Sequence, residues 1–180
     1  DQMSLLLTFL FFVIPTFSFS QSNDTIQASN VNYASFIMYH RFGDSRYPST
    51  NIKKEQFMEH INELLKPKYN VISIDKAFLA INNVEPIKDR SVVITIDDAY
   101  SSVYKYAWPI FKKHNLPFTL FVSTDVIDNK TPGYMNWEQI RTLRDHGVVI
   151  GSQTKSHPHM FNLTKNKIIE ESVSYTHLTL

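Results

Sequence analysis

The stretch "VVITIDDAY", residues 92–100, runs an apolar segment directly into two adjacent aspartates, Asp97 and Asp98. Neighbouring carboxylates repel, and both lose hydration where a strand dives into a core. Such a pair is a turn, a cap for the helix expected near Ser101, or the rim of an active site. Both acids ionise cheaply only if a cation lies between them or one takes a proton. A divalent metal held by one acid would leave the other free as a base. Some fifty residues later, "GSQTKSHPHM" brings His157 and His159, and imidazole with carboxylate suits zinc or a similar ion. His40, in "IMYHRF", is a third candidate. Taken alone, His40 and His159 read as hydrogen-bonded wall residues before ligands.

The elements that must carry these residues alternate. "ASFIMYH" and "NVISI" (70–74) read as buried strands, as do "SVVITI" (91–96), "PFTLFVS" (117–123) and "VVIG". Between them, Phe57, Ile61, Leu64 and Leu65 mark one amphipathic helix, and Asp75 is placed to cap a short helix through Ile81. Val103, Tyr106, Ala107, Ile110 and Phe111 give a third helix its face, which Pro109 should kink or split. Asn136 caps "WEQIRTLRDHG", Gly147 ends it, and Thr164 opens a last helix to about Glu171. Five strand-helix units imply an α/β architecture with a parallel sheet, an open or incomplete barrel or a doubly wound sheet. Loops at the C-terminal ends of such strands line the site. His40, the acid pair, Ser123-Thr124-Asp125 and "SQTKSHPHM" all fall at such ends.

Composition sets the bounds. The chain has 180 residues, 43% hydrophobic, with 18 basic against 17 acidic side chains, enough for one core and without the net field that nucleic acid attracts. No cysteine is present, so a metal must use histidine, carboxylate or amide oxygen. "MSLLLTFLFFVIPTFSFSQS" reads as a secretory signal over residues 1–20, cleaved after Ser20, with an uncleaved anchor as the alternative. Residues 21–33 read as a linker, 34–172 as the domain and 173–180 as a tail foreign to it.

"TIDDAY", "GSQTKSHPHM" and the upstream "IMYHRF" together resemble the polysaccharide deacetylases of the NodB-homology type, carbohydrate esterase family 4. "IMYHRFGD" and "FMEHINELL" resemble in particular the exported members that act on poly-N-acetylglucosamine. The likeness extends over roughly residues 34–171 and implies an incomplete (β/α) barrel of that type, with about five parallel strands present. By this resemblance Asp97 matches the general base, Asp98 the metal-binding aspartate and His157 the second metal histidine. His40, Tyr100 and His159 become candidate substrate contacts. A divalent metal, zinc first, would polarise an acetamide carbonyl while Asp97 takes the proton of the attacking water. The implied partner is an acetylated polysaccharide outside the cytoplasm, secreted or periplasmic, with peripheral association to membrane or wall.

The chain departs from that pattern in three ways. Gln153 stands where the family has its first metal histidine and offers a weaker, neutral amide oxygen. Ala99 stands where the first motif has glycine. The family's later motifs, which carry an arginine orienting the base, the acetyl-pocket wall and the general acid, have no match through Leu180, so the domain reads as truncated. Two other readings follow: a non-catalytic glycan-binding relative, and a magnesium-binding receiver-like domain, against which the leader and "TKSHPH" weigh.

Overall fold

The computed structural model describes residues 30–173. The expected signal segment, most of the expected linker, and the tail with His177 lie outside the described residues. In chain order the elements are β1 (Asn30–Val31), β2 (Ser35–Tyr39), β3 (Arg41–Phe42), β4 (Asn51–Ile52), α1 (Lys54–Leu64), β5 (Asn70–Ile72), α2 (Ile74–Ile81), β6 (Ile87–Lys88) and β7 (Ser91–Ile96). There follow α3 (Trp108–Lys113), β8 (Thr119–Val122), α4 (Thr124–Asp128), α5 (Trp137–Asp145), β9 (Val149–Ser152) and α6 (Lys165–Val173).

Five parallel strands form the main sheet, β2, β5, β7, β8 and β9, and these are the five that the apolar runs predict. β7 is its axis. One edge pairs with β2 from Ser35↔Val92 to Tyr39↔Ile96. Its first half also pairs with β5 and its last two residues with β8, which continues to β9. All six residues of β7 are buried, because both its faces are covered. Val92, Ile94 and Ile96 join the large cluster with Phe57 of α1 and Ile140 of α5, while Val93 packs with Ala77 and Ala80 of α2.

Local chemistry explains most boundaries. Asn136 and Gln139 form a reciprocal capping box at α5, and Gly147 follows at φ +87°. At α2 the cap is Ser73, whose hydroxyl accepts from the Lys76 N–H at 3.4 Å, and not Asp75. β5 stops at Ile72, two residues before the apolar run does, so the helix starts earlier and Asp75 sits in its first turn, where the dipole favours an acid. Pro109 has the disruptive effect expected of it. The chain is π-helical over Val103–Ala107, the Trp108 N–H reaches back to the Val103 carbonyl, and α3 starts afresh with Pro109 in its first turn.

The short pairs β1–β6 and β3–β4 carry no periodic signal and were not expected from the sequence. β1 lies within the segment read as linker. Among the described residues no helix is long and apolar enough to cross a membrane.

Phe57 is fully buried and meets the rings of Phe42 at 4.7 Å and Phe111 at 5.3 Å, both edge-on. Phe57→Ala should cost about 3–5 kcal/mol in denaturant unfolding. A smaller loss, about 1–3 kcal/mol, is expected for Gly151→Ala, whose new methyl would lie 2.5 Å from the Phe121 ring across β8 and β9.

Candidate active site

The ladder of β7 continues one residue past the strand, with the Asp97 N–H donating to the Tyr39 carbonyl at 2.9 Å. The chain then turns through two left-handed residues, Asp98 at φ +68° and Ala99 at φ +52°. Aspartate tolerates this region, whereas for alanine it is costly, by about 1–2 kcal/mol. A neighbouring loop holds the turn: the Met135 N–H donates to the Ala99 carbonyl at 2.9 Å and the Ser101 N–H to the Gly133 carbonyl at 2.8 Å. The turn sends the adjacent carboxylates to different partners. Asp97 Oδ2 lies 3.8 Å from His40 Nε2, and Asp98 Oδ1 lies 3.6 Å from His157 Nε2. Among the described residues neither acid caps the helix that follows.

Burial pushes the Asp97 pKa above the ordinary carboxylate range. The His40 charge pulls it down, Asp98 pushes it up and His157 pulls it down, and burial prevails. Tyr100 is also raised, first by burial, then by hydrogen bonding with Tyr134 and the charge of Asp98. Its ring packs on Tyr134 with centroids 4.8 Å apart, and both rings line a cavity of about 250 Å³ with Asp98, Ser123 and His157.

The loop after β9 is tied down at several points. The Gln153 N–H donates to the Val122 carbonyl at 2.9 Å, and the buried Ser123 hydroxyl donates to the Gln153 carbonyl at 3.1 Å. Thr154 and His157 take positive φ, +66° and +57°. Glu171 of α6, 2% exposed, accepts from both the N–H and the hydroxyl of Ser156 at 2.8 Å each. Burial pushes the Glu171 pKa up, but these donors outweigh it and the net shift is downward. Apolar periodicity does not mark a buried glutamate beside exposed apolar residues such as Ile169 and Val173 on the same helix, so the anchor of this loop could not be read in advance.

Gln153 decides how well the site fits a metal. Its Oε1 accepts the Asp98 N–H at 3.1 Å, and its Nε2 lies 3.2 Å from His157 Nε2. The Asp98 N–H can only donate, which fixes the amide orientation: the oxygen faces the backbone and the NH₂ faces the imidazole lone pair. Asp98 and His157 are spaced close to the separation of two ligands across a tetrahedral zinc, about 3.3 Å for bonds of ~2.0 Å. Among the described residues no three His, Asp or Glu side chains converge on one point. The chain thus offers a carboxylate and an imidazole, with an amide as third donor only if it rotates away from Asp98. Such a set fits a divalent ion more weakly than three strong donors would.

His40, Asp97, Asp98, Tyr100, Gln153 and His157 are brought to one end of the sheet. His159 is not among the residues lining the cavity; its exposed ring faces Phe161 with centroids 6.2 Å apart. Tyr134, on a loop whose sequence announces only a turn, belongs to the site without having been singled out.

Because Asp97 binds its proton more tightly folded than unfolded, its contribution favours folding below the ordinary carboxylate pKa and is lost as pH rises through the raised value. In chelator, Asp97→Asn should therefore raise the melting temperature at pH 7.5 and leave it nearly unchanged at pH 3, by thermal denaturation.

The polysaccharide deacetylase family model matches residues 85–178, more than half of the chain. The chain is 28% identical over 128 residues to the Bacillus subtilis (strain 168) protein YxkH, covering 71% of this chain and 44% of that protein. It is 24% identical over 136 residues to the poly-beta-1,6-N-acetyl-D-glucosamine N-deacetylase of Staphylococcus aureus (strain MRSA252), covering 75% and 47%. It therefore spans slightly under half the length of these relatives. The solved structure of IcaB from Ammonifex degensii superposes with a TM-score of 0.70 at 25% identity, over 82% of this chain and 70% of that one. The Streptococcus pyogenes deacetylase PplD shares the fold, with a TM-score of 0.71 at 19% identity over 84% and 69%. Sheet, motif positions and matched model agree, and the chain belongs to the polysaccharide deacetylase family.

Proposed function

We propose that the chain carries the base and part of the metal-binding set of an extracytoplasmic, metal-dependent deacetylase that removes N-acetyl groups from an N-acetylglucosamine polymer. The observation that carries this reading is the divided acid pair. Asp97 is half-desolvated with a raised pKa, and Asp98 is directed to His157, so adjacent carboxylates take different roles. The likeness to a poly-N-acetylglucosamine deacetylase supports the choice of glycan.

In the reaction, Asp97 accepts a proton from water as the water oxygen attacks the acetamide carbonyl carbon; that proton passes on to the amide nitrogen as the C–N bond breaks, giving acetic acid, ionised to acetate, and a free amine. A raised pKa brings the carboxylate closer to working pH and strengthens it as a base. His40, 3.8 Å away, lies within ion-pair distance of the Asp97 carboxylate. Asp98 and His157 would hold a divalent ion, zinc first, which when bound supplies Lewis-acid polarisation of the carbonyl and a more acidic water. Tyr100 and Tyr134 line the cavity and give it an aromatic wall of the kind that suits a sugar. The leader-like first twenty residues support export, with peripheral association to membrane or wall as its consequence.

The Gln153 amide, seated between the Asp98 N–H and His157, favours a second reading, a glycan-binding relative without turnover. Zinc titration and acetate release from N-acetylglucosamine oligomers separate the two. The deacetylase reading expects release that falls by about 10²–10⁴-fold in Asp97→Asn, and zinc affinity at least about tenfold tighter in Gln153→His. Oligomer binding with neither zinc binding nor acetate release in the native or the Gln153→His chain establishes the binder.

A further inference from the structure

A second cavity, of about 290 Å³, adjoins the first and shares with it the walls Tyr100 and Tyr134. Its other walls include Arg41 of β3 and Asp44, Arg46 and Tyr47 of the segment joining β3 to β4. Arg41 is held in an unusual way. Its guanidinium carbon lies 3.9 Å from the Tyr47 ring centroid and 3.5 Å from that of Tyr100, with a ring contact to each. Its Nη1 donates to the Thr50 hydroxyl at 2.6 Å. Ring contacts of this kind hold a guanidinium through its π face and leave its in-plane N–H donors for oxygen acceptors.

The charges around it do not cancel. Asp44 is committed to Arg46, which donates to it through Nε and Nη2 at 2.9 Å each. The Asp44 carboxyl is held below its usual range by Arg46 first, with Arg41 a weaker influence. Two arginines against one aspartate leave this cavity cationic, whereas the adjoining one is lined by Asp98.

We propose that the second cavity is a subsite for the sugar next to the reacting one, and that Arg41 makes it select units that keep their N-acetyl group. An acetamide carbonyl or hydroxyl oxygen accepts from the guanidinium edge, and Tyr47 and Tyr134 pack against the ring. A unit already converted to the free amine is an ammonium ion near neutral pH, and Arg41 repels it. The product of one turnover is then a poor neighbour for the next, and removal of acetyl groups is spaced along the chain instead of running through adjacent units. The choice of glycan rests on the deacetylase reading; the charge selection rests on the cavity.

The test compares two N-acetylglucosamine trimers at pH 6, one fully acetylated and one with a single free amine, bound to the Asp97→Asn chain so that neither is consumed. The acetylated trimer should bind about tenfold tighter. Adding Arg41→Gln, which keeps a donor and removes the charge, should shrink that gap to under about threefold. Equal binding to the Arg41 chain, a gap that survives Arg41→Gln, or binding of neither trimer overturns the subsite. Acetate release by the unsubstituted chain is scored separately, so a selective chain that releases no acetate sinks the deacetylase and leaves the subsite standing.

Discussion

Everything at this site depends on where β7 stops. Six buried residues carry the chain up the middle of the sheet, and the last ladder bond, from the Asp97 N–H to the Tyr39 carbonyl, fixes the first acid against the neighbouring strand. A left-handed turn then separates the second acid from the first. Had the chain stayed extended, alternation would also have put the two side chains on opposite faces, but with one directed into the core. The turn instead keeps both at the rim, each beside its own histidine. That solution has a cost, since Ala99 holds a positive φ that glycine would accept freely. The bonds from Met135 and Ser101 hold it there.

The rim is assembled from loops that are individually irregular and jointly pinned. The loop after β9 leans on β8 through Ser123, on α4 through the Asp125 N–H bond to the Lys155 carbonyl, and on α6 through Glu171. Residues that look like site residues in the sequence serve here as braces, Ser123 through its hydroxyl and Asp125 through its backbone N–H. A buried carboxylate accepting two donors is the kind of contact that defines one loop geometry, because losing either donor leaves a desolvated charge. His157 owes its position beside Asp98 to that bracing, even though its own ring is more than half exposed.

Gln153 ties the site together through hydrogen bonds of its own. The amide bridges a backbone donor and an imidazole acceptor, satisfying both where a histidine would offer a ring nitrogen to an ion. These local hydrogen bonds form without a metal. Next to it, the tyrosine pair forms a wall common to two cavities, one lined by Asp98 and the other by Arg41 and Arg46.

The sequence by itself determined the five parallel strands, since apolar runs bounded by turn residues need no partner to be visible. It also determined that Asp97, Asp98, Gln153, His157 and His40 lie at strand ends, because position after a strand is a property of order along the chain. The family followed from the same residues. Only the tertiary structure decided which of these groups meet: that Asp97 faces His40, that Asp98 faces His157, and that His159 turns away to Phe161. Arg41, Tyr134 and Glu171 were invisible for the same reason. Their roles come from contacts that the fold alone brings together: Arg41 with Tyr100 across 59 residues, Tyr134 with Tyr100 across 34, and Glu171 with Ser156 across 15, a loop-to-helix contact that periodicity does not encode.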